Sequence, residues 1–367
     1  MHLVLGKTGA LEAEFRNEVE ITFLPATRTH FFGSVLDKIL GWTGALAWLQ
    51  RRNEAQQWQQ FEANLRAQNI GLIFANTIAS ADIYQKLNFL TAPTVLFAHE
   101  LAMSIAHYSR PEALANLLTN TDHLIVVSRA VAQHFSATYH FPAEKISTFQ
   151  IIDMASILNR IEEGRKVNVR QKMGLPSNAI LIGSCGNAEW RKGNDVFMAV
   201  AQQVIKRHAN QPVYFVWVGM HHYNEIYQLQ RLDAQKMGLA DRIIHVESTP
   251  EVFEYLSQYD VFILPSREDP YPLVVLEAAL AEKPIVCFAG AGGAPELVEA
   301  DAGFVVSYLD VQEMSNRISQ LIDNEDLKTK MGQIAKQKVL QRHPINESID
   351  QVMAIVHSLT SKQQPAQ

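Results

Sequence analysis

Val261-Phe262-Ile263-Leu264-Pro265-Ser266-Arg267-Glu268-Asp269-Pro270-Tyr271-Pro272-Leu273-Val274-Val275-Leu276-Glu277-Ala278-Ala279-Leu280-Ala281 is the stretch that decides the fold. It opens on four consecutive apolar residues, the pattern of a parallel strand covered on both faces. An acidic loop follows. Pro272 then marks a helix start, because proline lacks the N–H that a first helical turn leaves unpaired anyway. From Leu273 to Ala281 every residue but Glu277 is apolar. A helix apolar all round is buried, so the unit reads as strand, loop and covering helix.

The same alternation extends in both directions. The N-terminal half carries strand-like runs at His2–Gly6, Val19–Leu24, Ile70–Ala75, Thr94–Ala98, His123–Ser128 and Ile146–Gln150. The C-terminal half carries them at Ile180–Gly186, Val213–Gly219, Arg242–Glu247, Asp260–Pro265, Pro284–Ala289 and Gly303–Ser307. Helical stretches lie between, among them Asn194–Arg207, Val311–Ile322, Glu325–Gln341 and Ile345–Leu359. Strands alternating with helices define an α/β class with right-handed crossovers. Polar and charged residues dominate Met154–Gly174, and this shift places a domain boundary there. The expected domains are residues 1–165 and 166–343. Residues 344–367 are expected to form a C-terminal helix packing back on the first domain, with a disordered polar tail from Ser361. Two doubly wound domains facing each other imply a ligand in the cleft, beyond the C-terminal ends of the strands.

Composition excludes several classes. A chain of 367 residues, 47% hydrophobic, buries a sizeable core without staples. The net charge of −6 argues against a general nucleic-acid-binding field. Cys185 and Cys287 sit inside apolar runs and read as core residues of a reducing compartment, with too few thiols for a cysteine zinc cage. No apolar run reaches the ~18 residues of a membrane span, and the N-terminus lacks a signal-peptide pattern. Asn346-Glu347-Ser348 matches a glycosylation sequon by chance in a cytoplasmic chain.

Three segments carry chemistry. The N-terminus of the helix at Pro272–Val274 offers unpaired N–H groups to an anion such as a phosphate. One turn further in, Glu277 is a lone carboxylate in an apolar helix, which needs a partner or a ligand; a ribose diol would satisfy it. The bland alternative pairs Glu277 with a buried Arg or Lys and makes Asp269 a helix cap. Second, Ala289-Gly290-Ala291-Gly292-Gly293-Ala294-Pro295-Glu296 follows a strand, and its glycines allow close backbone approach to a ligand, or form an ordinary turn. Third, Gly186-Asn187-Ala188-Glu189-Trp190-Arg191-Lys192-Gly193 puts two cations ahead of a helix. Cations oppose the helix dipole there, which favours an anion bound between them, with a solvated pair as the alternative.

Asp269…Glu277-Ala278-Ala279-Leu280-Ala281…Gly292-Gly293-Ala294-Pro295-Glu296 resembles the signature of the retaining glycosyltransferases of family 4, also called glycosyl transferases group 1. That signature is an acid pair separated by seven residues, small residues, and a Gly-Gly-x-x-Glu turn. The resemblance covers about Val167 to His343 and extends loosely through Val126-Val127-Ser128-Arg129-Ala130-Val131. It implies the GT-B architecture, two Rossmann-like domains facing a cleft. It also implies transfer of a sugar from a nucleotide sugar, a UDP- or GDP-sugar, to a glycan, lipid-linked or small-molecule acceptor with retention of configuration.

By the same resemblance Glu277 binds the ribose, and Lys192 neutralises the diphosphate. Leu273 and Val274 donate N–H groups to the phosphates, and Asp269 and His99 lie near the transferred sugar. Gly292, Gly293 and, with a weaker claim, Glu296 complete the donor side. Asn187 stands where the family has an arginine, a charge that Arg191 replaces. Asp269 stands for a glutamate, with Glu268 beside it as a substitute. The leaving diphosphate takes the charge, so cations and helix N-termini stabilise it without a metal, and no other cofactor is implied. Asp269 or Glu268 would orient sugar hydroxyls or balance an oxocarbenium ion.

Other motifs are set aside. His99-Glu100 begins a zinc-protease helix, but Met103 breaks it. His221 and His222 read as a surface loop. Phe31–Arg52 reads as a helix of the first domain, with peripheral contact at the inner face of the plasma membrane as the rival. The helix at Ala10–Asn17 is too short to cross a sheet, and Gly6-Lys7-Thr8-Gly9 is not the family's Gly-rich loop. The chain is thus expected to begin at the family's second strand, short of one βα unit. The activity expected is a glycosyltransferase of polysaccharide or glycoconjugate assembly. A non-catalytic nucleotide-sugar-binding or partner subunit is the alternative, and a GT-B sugar-nucleotide epimerase a third.

Overall fold

The structure is a computed structural model describing residues 1–9, 11–25 and 45–361, with side chains from residue 51 in the helix Ala45–Ala67. Of the Phe31–Arg52 stretch, residues 31–44 lie outside the described residues, as does the tail from residue 362. The chain divides into two compact units. The first is Met1–Val95, Ser109–Asp122 and Leu359–Gln367, and the second Leu96–Tyr108 and His123–Ser358.

In the first unit β1 (His2–Leu5) pairs in parallel with β2 (Glu20–Phe23), His2 opposite Glu20. The expected Ala10–Asn17 helix shrinks to one turn, Glu12–Phe15. The helix Ala45–Ala67 lays Phe61 and Leu65 against Leu87, and Trp58 meets the Phe61 ring edge-on at 5.4 Å. β3 (Ile73–Asn76) runs beside the start of β4 (Thr94–Ala98), whose Thr94 N–H is held by the Asp122 carboxylate at 2.9 Å.

In the second unit the end of β4 is followed in the sheet by β5 (His123–Val126) and β6 (Ile146–Thr148), with Leu124 opposite Ile146. The polar stretch Met154–Gly174 folds into helices Met154–Arg165 and Val169–Lys172, capped by the Asp153 and Asn168 side chains. Ile161 and Val169 are buried, and a Cβ at Gly164 would lie 2.4 Å from the Phe253 carbonyl oxygen. The charges of this stretch therefore belong to a helix whose few apolar positions suffice to dock it.

The main sheet holds β7 (Ile180–Cys185), β8 (Val213–Val218), β9 (Ile243–Val246), β10 (Val261–Leu264), β11 (Ile285–Phe288) and β12 (Gly303–Val306). Their order is β12-β11-β10-β7-β8-β9, all parallel. Side chains alternate between two cores, as the two-residue period demands. Leu181, Val216, Phe262 and Cys287 face the core that receives the helix Leu273–Leu280; Ile182, Phe215, Ile263 and Val286 face the one that receives Asn194–Arg207. Cys185 and Cys287 are free and buried, and burial pushes both thiols up to about 12. All the strands expected from the apolar runs are present, with ends displaced by up to three residues.

The strand order fixes the position of the site. The chain winds outward from β7 to β9, then returns to β10 on the other side of β7. The loops after β7 and β10 thus leave the sheet side by side at its switch point, where ligands of such sheets bind. Among the described residues, no helix is long and apolar enough to cross a membrane.

Candidate active site

The loop after β7 carries Arg191 and Lys192 in a single 3-10 turn closed by Gly193. Gly193 has φ +72°, and a Cβ there would sit 2.0 Å from the Pro265 carbonyl oxygen, so the two loops touch through bare backbone. The loop after β10 supplies the counter-charge. Asp269, 5% exposed, takes Lys192 Nζ at 2.6 Å, an Arg191 guanidinium nitrogen at 3.3 Å and the Ser266 hydroxyl at 3.2 Å. Arg191 also donates to the Glu268 carbonyl at 3.0 Å. The anion between the two cations is therefore the chain's own carboxylate, and Asp269 caps no helix.

The helix Leu273–Leu280 begins at Pro272 without a side-chain cap, so the first-turn N–H groups of Leu273 and Val274 lie at the same switch point, unclaimed by any side chain among the described residues. Leu273 is half exposed. Glu277 follows one turn later. Among the described residues its carboxylate has neither a hydrogen bond nor an ion pair, so the bland pairing with a buried Arg or Lys does not occur. Burial pushes its carboxyl above the usual range, and the more distant Arg160 pulls it back in part. An anion-ready helix end and a desolvated acceptor thus lie one turn apart.

Beside this cluster is a cavity of about 320 Å³ walled by His99, Gln150, Arg191, Asp269, Tyr271 and Leu273, among others. The structure thus brings His99, Arg191, Asp269 and Leu273 to one space, with Lys192 bonded to its wall. The half-exposed His99 ring follows β4, edge-on to Phe97 at 5.6 Å, and the His99 main-chain N–H donates to the Glu100 carboxylate at 2.9 Å. Asn187 is exposed and outside the cavity.

The remaining expected residues have other work here. The Glu268 carboxylate accepts the Met103 N–H at 3.0 Å, capping the helix Ala102–Tyr108 that follows His99. The Glu296 carboxylate accepts the Ala130 N–H at 2.9 Å and the Arg129 N–H at 3.1 Å, at the start of the helix Arg129–Tyr139. Carboxylates suit helix N-termini. Gly292 (φ +134°) bridges to Asp269, and a Cβ there would fall 1.8 Å from the Asp269 carbonyl oxygen; at Gly293 it would fall 2.5 Å from that of Pro270. The Gly-Gly turn admits the acidic loop's backbone, where a ligand's approach was expected.

Ser128, named in the Val126–Val131 motif, accepts the Val131 N–H with its hydroxyl and donates to the Pro270 carbonyl at 2.7 Å. Sequence reasoning assigned no role to Tyr271, whose hydroxyl meets His343 Nε2 at 3.1 Å, or to Gln150. Gln150 is a polar residue where a strand run stops, which was the available signal.

Three sheets among the described residues, of two, four and six strands, with a charged site at the switch point of the six-stranded one, match the GT-B fold. Similar proteins agree. Residues 166–338, just under half of the chain, match the family described as glycosyl transferases group 1. A D-inositol 3-phosphate glycosyltransferase of Corynebacterium urealyticum is 23% identical over 66% of this chain and 58% of its own. The O-antigen biosynthesis glycosyltransferase WclY of Escherichia coli is 29% identical over 45% of this chain and 42% of its own. The matches span about half the length of these relatives. The crystal structure of Anabaena Alr3699/HepE in complex with UDP and glucose superposes with a TM-score of 0.74 at 21% identity, covering 98% of this chain and 92% of that one.

Proposed function

We propose that the chain is a glycosyltransferase that moves a sugar from a UDP-sugar to a glycan, lipid-linked or small-molecule acceptor, with retention of configuration. The observation that carries this is the uncapped helix start at Leu273 with the unpaired, half-buried Glu277 one turn in, next to Arg191 and Lys192. The diphosphate sits on the Leu273 and Val274 N–H groups, and Lys192 and Arg191 neutralise it as the leaving group departs. Glu277 accepts the ribose hydroxyls. Asp269 and His99, on the cavity wall, orient the sugar. Glu268 and Glu296, bound to helix N-termini, fasten loops and do not touch the donor. The HepE complex with UDP and glucose supports UDP as the nucleotide, and the O-antigen relative supports a role in glycoconjugate assembly. Buried free thiols suit a cytoplasmic setting. Residues 166–343 hold the donor and 1–165 the acceptor side.

The test is incubation of the purified protein with UDP-, GDP- and ADP-sugars, following nucleotide release with and without candidate acceptors. Release of UDP with an α-linked product from an α-linked donor is expected. Tight binding without release in the presence of acceptors would make it a binding subunit, and sugar interconversion an epimerase; either overturns the proposal.

A further inference from the structure

Gln150 lies just beyond β6 and is 8% exposed, yet its Oε1 has no hydrogen-bond partner among the described residues. A buried amide oxygen without a partner is costly, and native structures rarely keep one without use. The side chain forms part of the wall of the 320 Å³ cavity that Arg191 and Asp269 also line. It also lines a second cavity of about 220 Å³, sharing Val127 and Tyr271 between the two. Neither neighbour satisfies it: Val127 is apolar and the Tyr271 hydroxyl is engaged with His343. The Gln150 main chain is held in place, since the Ser348 hydroxyl of the helix Ile345–Ser361 donates to its carbonyl oxygen at 3.3 Å.

We infer that Gln150 is a specificity-determining residue whose amide accepts a hydrogen bond from a hydroxyl of the donor's sugar. This rests on the glycosyltransferase function proposed above. An uncharged amide has no preference for phosphate, which Arg191, Lys192 and the helix start at Leu273 already serve. It matches a neutral hydroxyl, and a site built to bond a hydroxyl discriminates strongly among sugars that place it differently. The amide shares the cavity wall with Asp269 and His99, the residues proposed to orient the sugar.

Calorimetric titration of the full chain with UDP, UDP-glucose, UDP-galactose and UDP-N-acetylglucosamine tests this. For wild type, one UDP-sugar is expected to bind tighter than UDP. Gln150→Met, similar in shape but apolar, is expected to bind UDP within twofold of wild type and that UDP-sugar about tenfold more weakly, equal to about 1.4 kcal/mol. Its melting temperature without ligand is expected at or above that of wild type, because the unsatisfied oxygen is gone. Ser348→Ala, which releases the Gln150 carbonyl, is expected to weaken the UDP-sugar about threefold and leave UDP unchanged; it decides the matter alone if Gln150→Met does not fold. Equal loss for UDP and UDP-sugar, or no loss in either variant, overturns the inference while the glycosyltransferase function stands. Wild type that binds neither UDP nor any UDP-sugar overturns both.

Discussion

Glu277→Gln is expected to move stability and affinity in opposite directions. In the ligand-free protein Glu277 is desolvated by the all-apolar helix around it and has no hydrogen bond or ion pair among the described residues; burial pushes its carboxyl up from 4.5. A carboxyl whose folded value is raised binds protons more tightly in the fold than in the unfolded chain. It therefore lowers stability as pH rises through that window and keeps it lowered above. Glutamine keeps the shape and removes the charge, so the unliganded variant should melt higher than wild type at pH 7, and the difference should vanish near pH 4. Donor binding should suffer. A hydrogen bond to a charged acceptor contributes about 1.5–3 kcal/mol, so losing the carboxylate weakens UDP by roughly 10- to 150-fold. Thermal melts at the two pH values and calorimetric titration with UDP read both effects. A variant that melts lower at pH 7 and binds UDP as wild type does would refute the ribose role and make Glu277 a structural residue.

Asp269→Asn leaves Lys192 and Arg191, 15% and 18% exposed, facing a neutral group; a loss of about 3 kcal/mol in urea unfolding is expected, together with tighter UDP binding as the cations are freed. Gly292→Ala combines a 1.8 Å collision with the Asp269 carbonyl oxygen and a φ of +134°, for a loss of roughly 2–6 kcal/mol; Gly290→Ala, with open space around it, is the milder control in the same urea series. His343, pushed down to about 4 by burial and by Arg342, stays neutral in the fold while the unfolded chain protonates near 6.5. Its contribution is present above pH 6.5 and is lost as pH falls toward 4, roughly 3 kcal/mol in full. His343→Asn should flatten the urea midpoint across that interval, and an unchanged slope would contradict the assignment.

The strands were legible because parallel strands buried on both faces leave continuous apolar runs, and Val261–Leu264 and Leu124–Val127 are such runs. The acid pair and the two cations were legible from their spacing within one loop and helix. What each acid touches was not. Glu268 reaches the amide of Met103 and Glu296 those of Arg129 and Ala130, contacts 165 to 167 residues apart in the chain. A carboxylate destined for a distant helix end looks in sequence like one destined for a substrate. Gly292 and Gly293 were identified as sites of close approach, but a glycine does not say what approaches. In Met154–Arg165 the charged outer face hides from the sequence the short apolar contact made by Ile161.

The contacts Glu268–Met103, Glu296–Ala130 and Ser128–Pro270 share one trait: each side chain grips a main-chain atom. Any residue but proline offers the same amide at 103 and 130, and any residue at all offers the carbonyl at 270. Half of each contact is therefore silent to selection on side-chain identity. Searches for correlated substitutions would register nothing between the partners of these three contacts. A chimera that keeps Ser128, Glu268 and Glu296 keeps all three, whatever residues other than proline stand at 103 and 130.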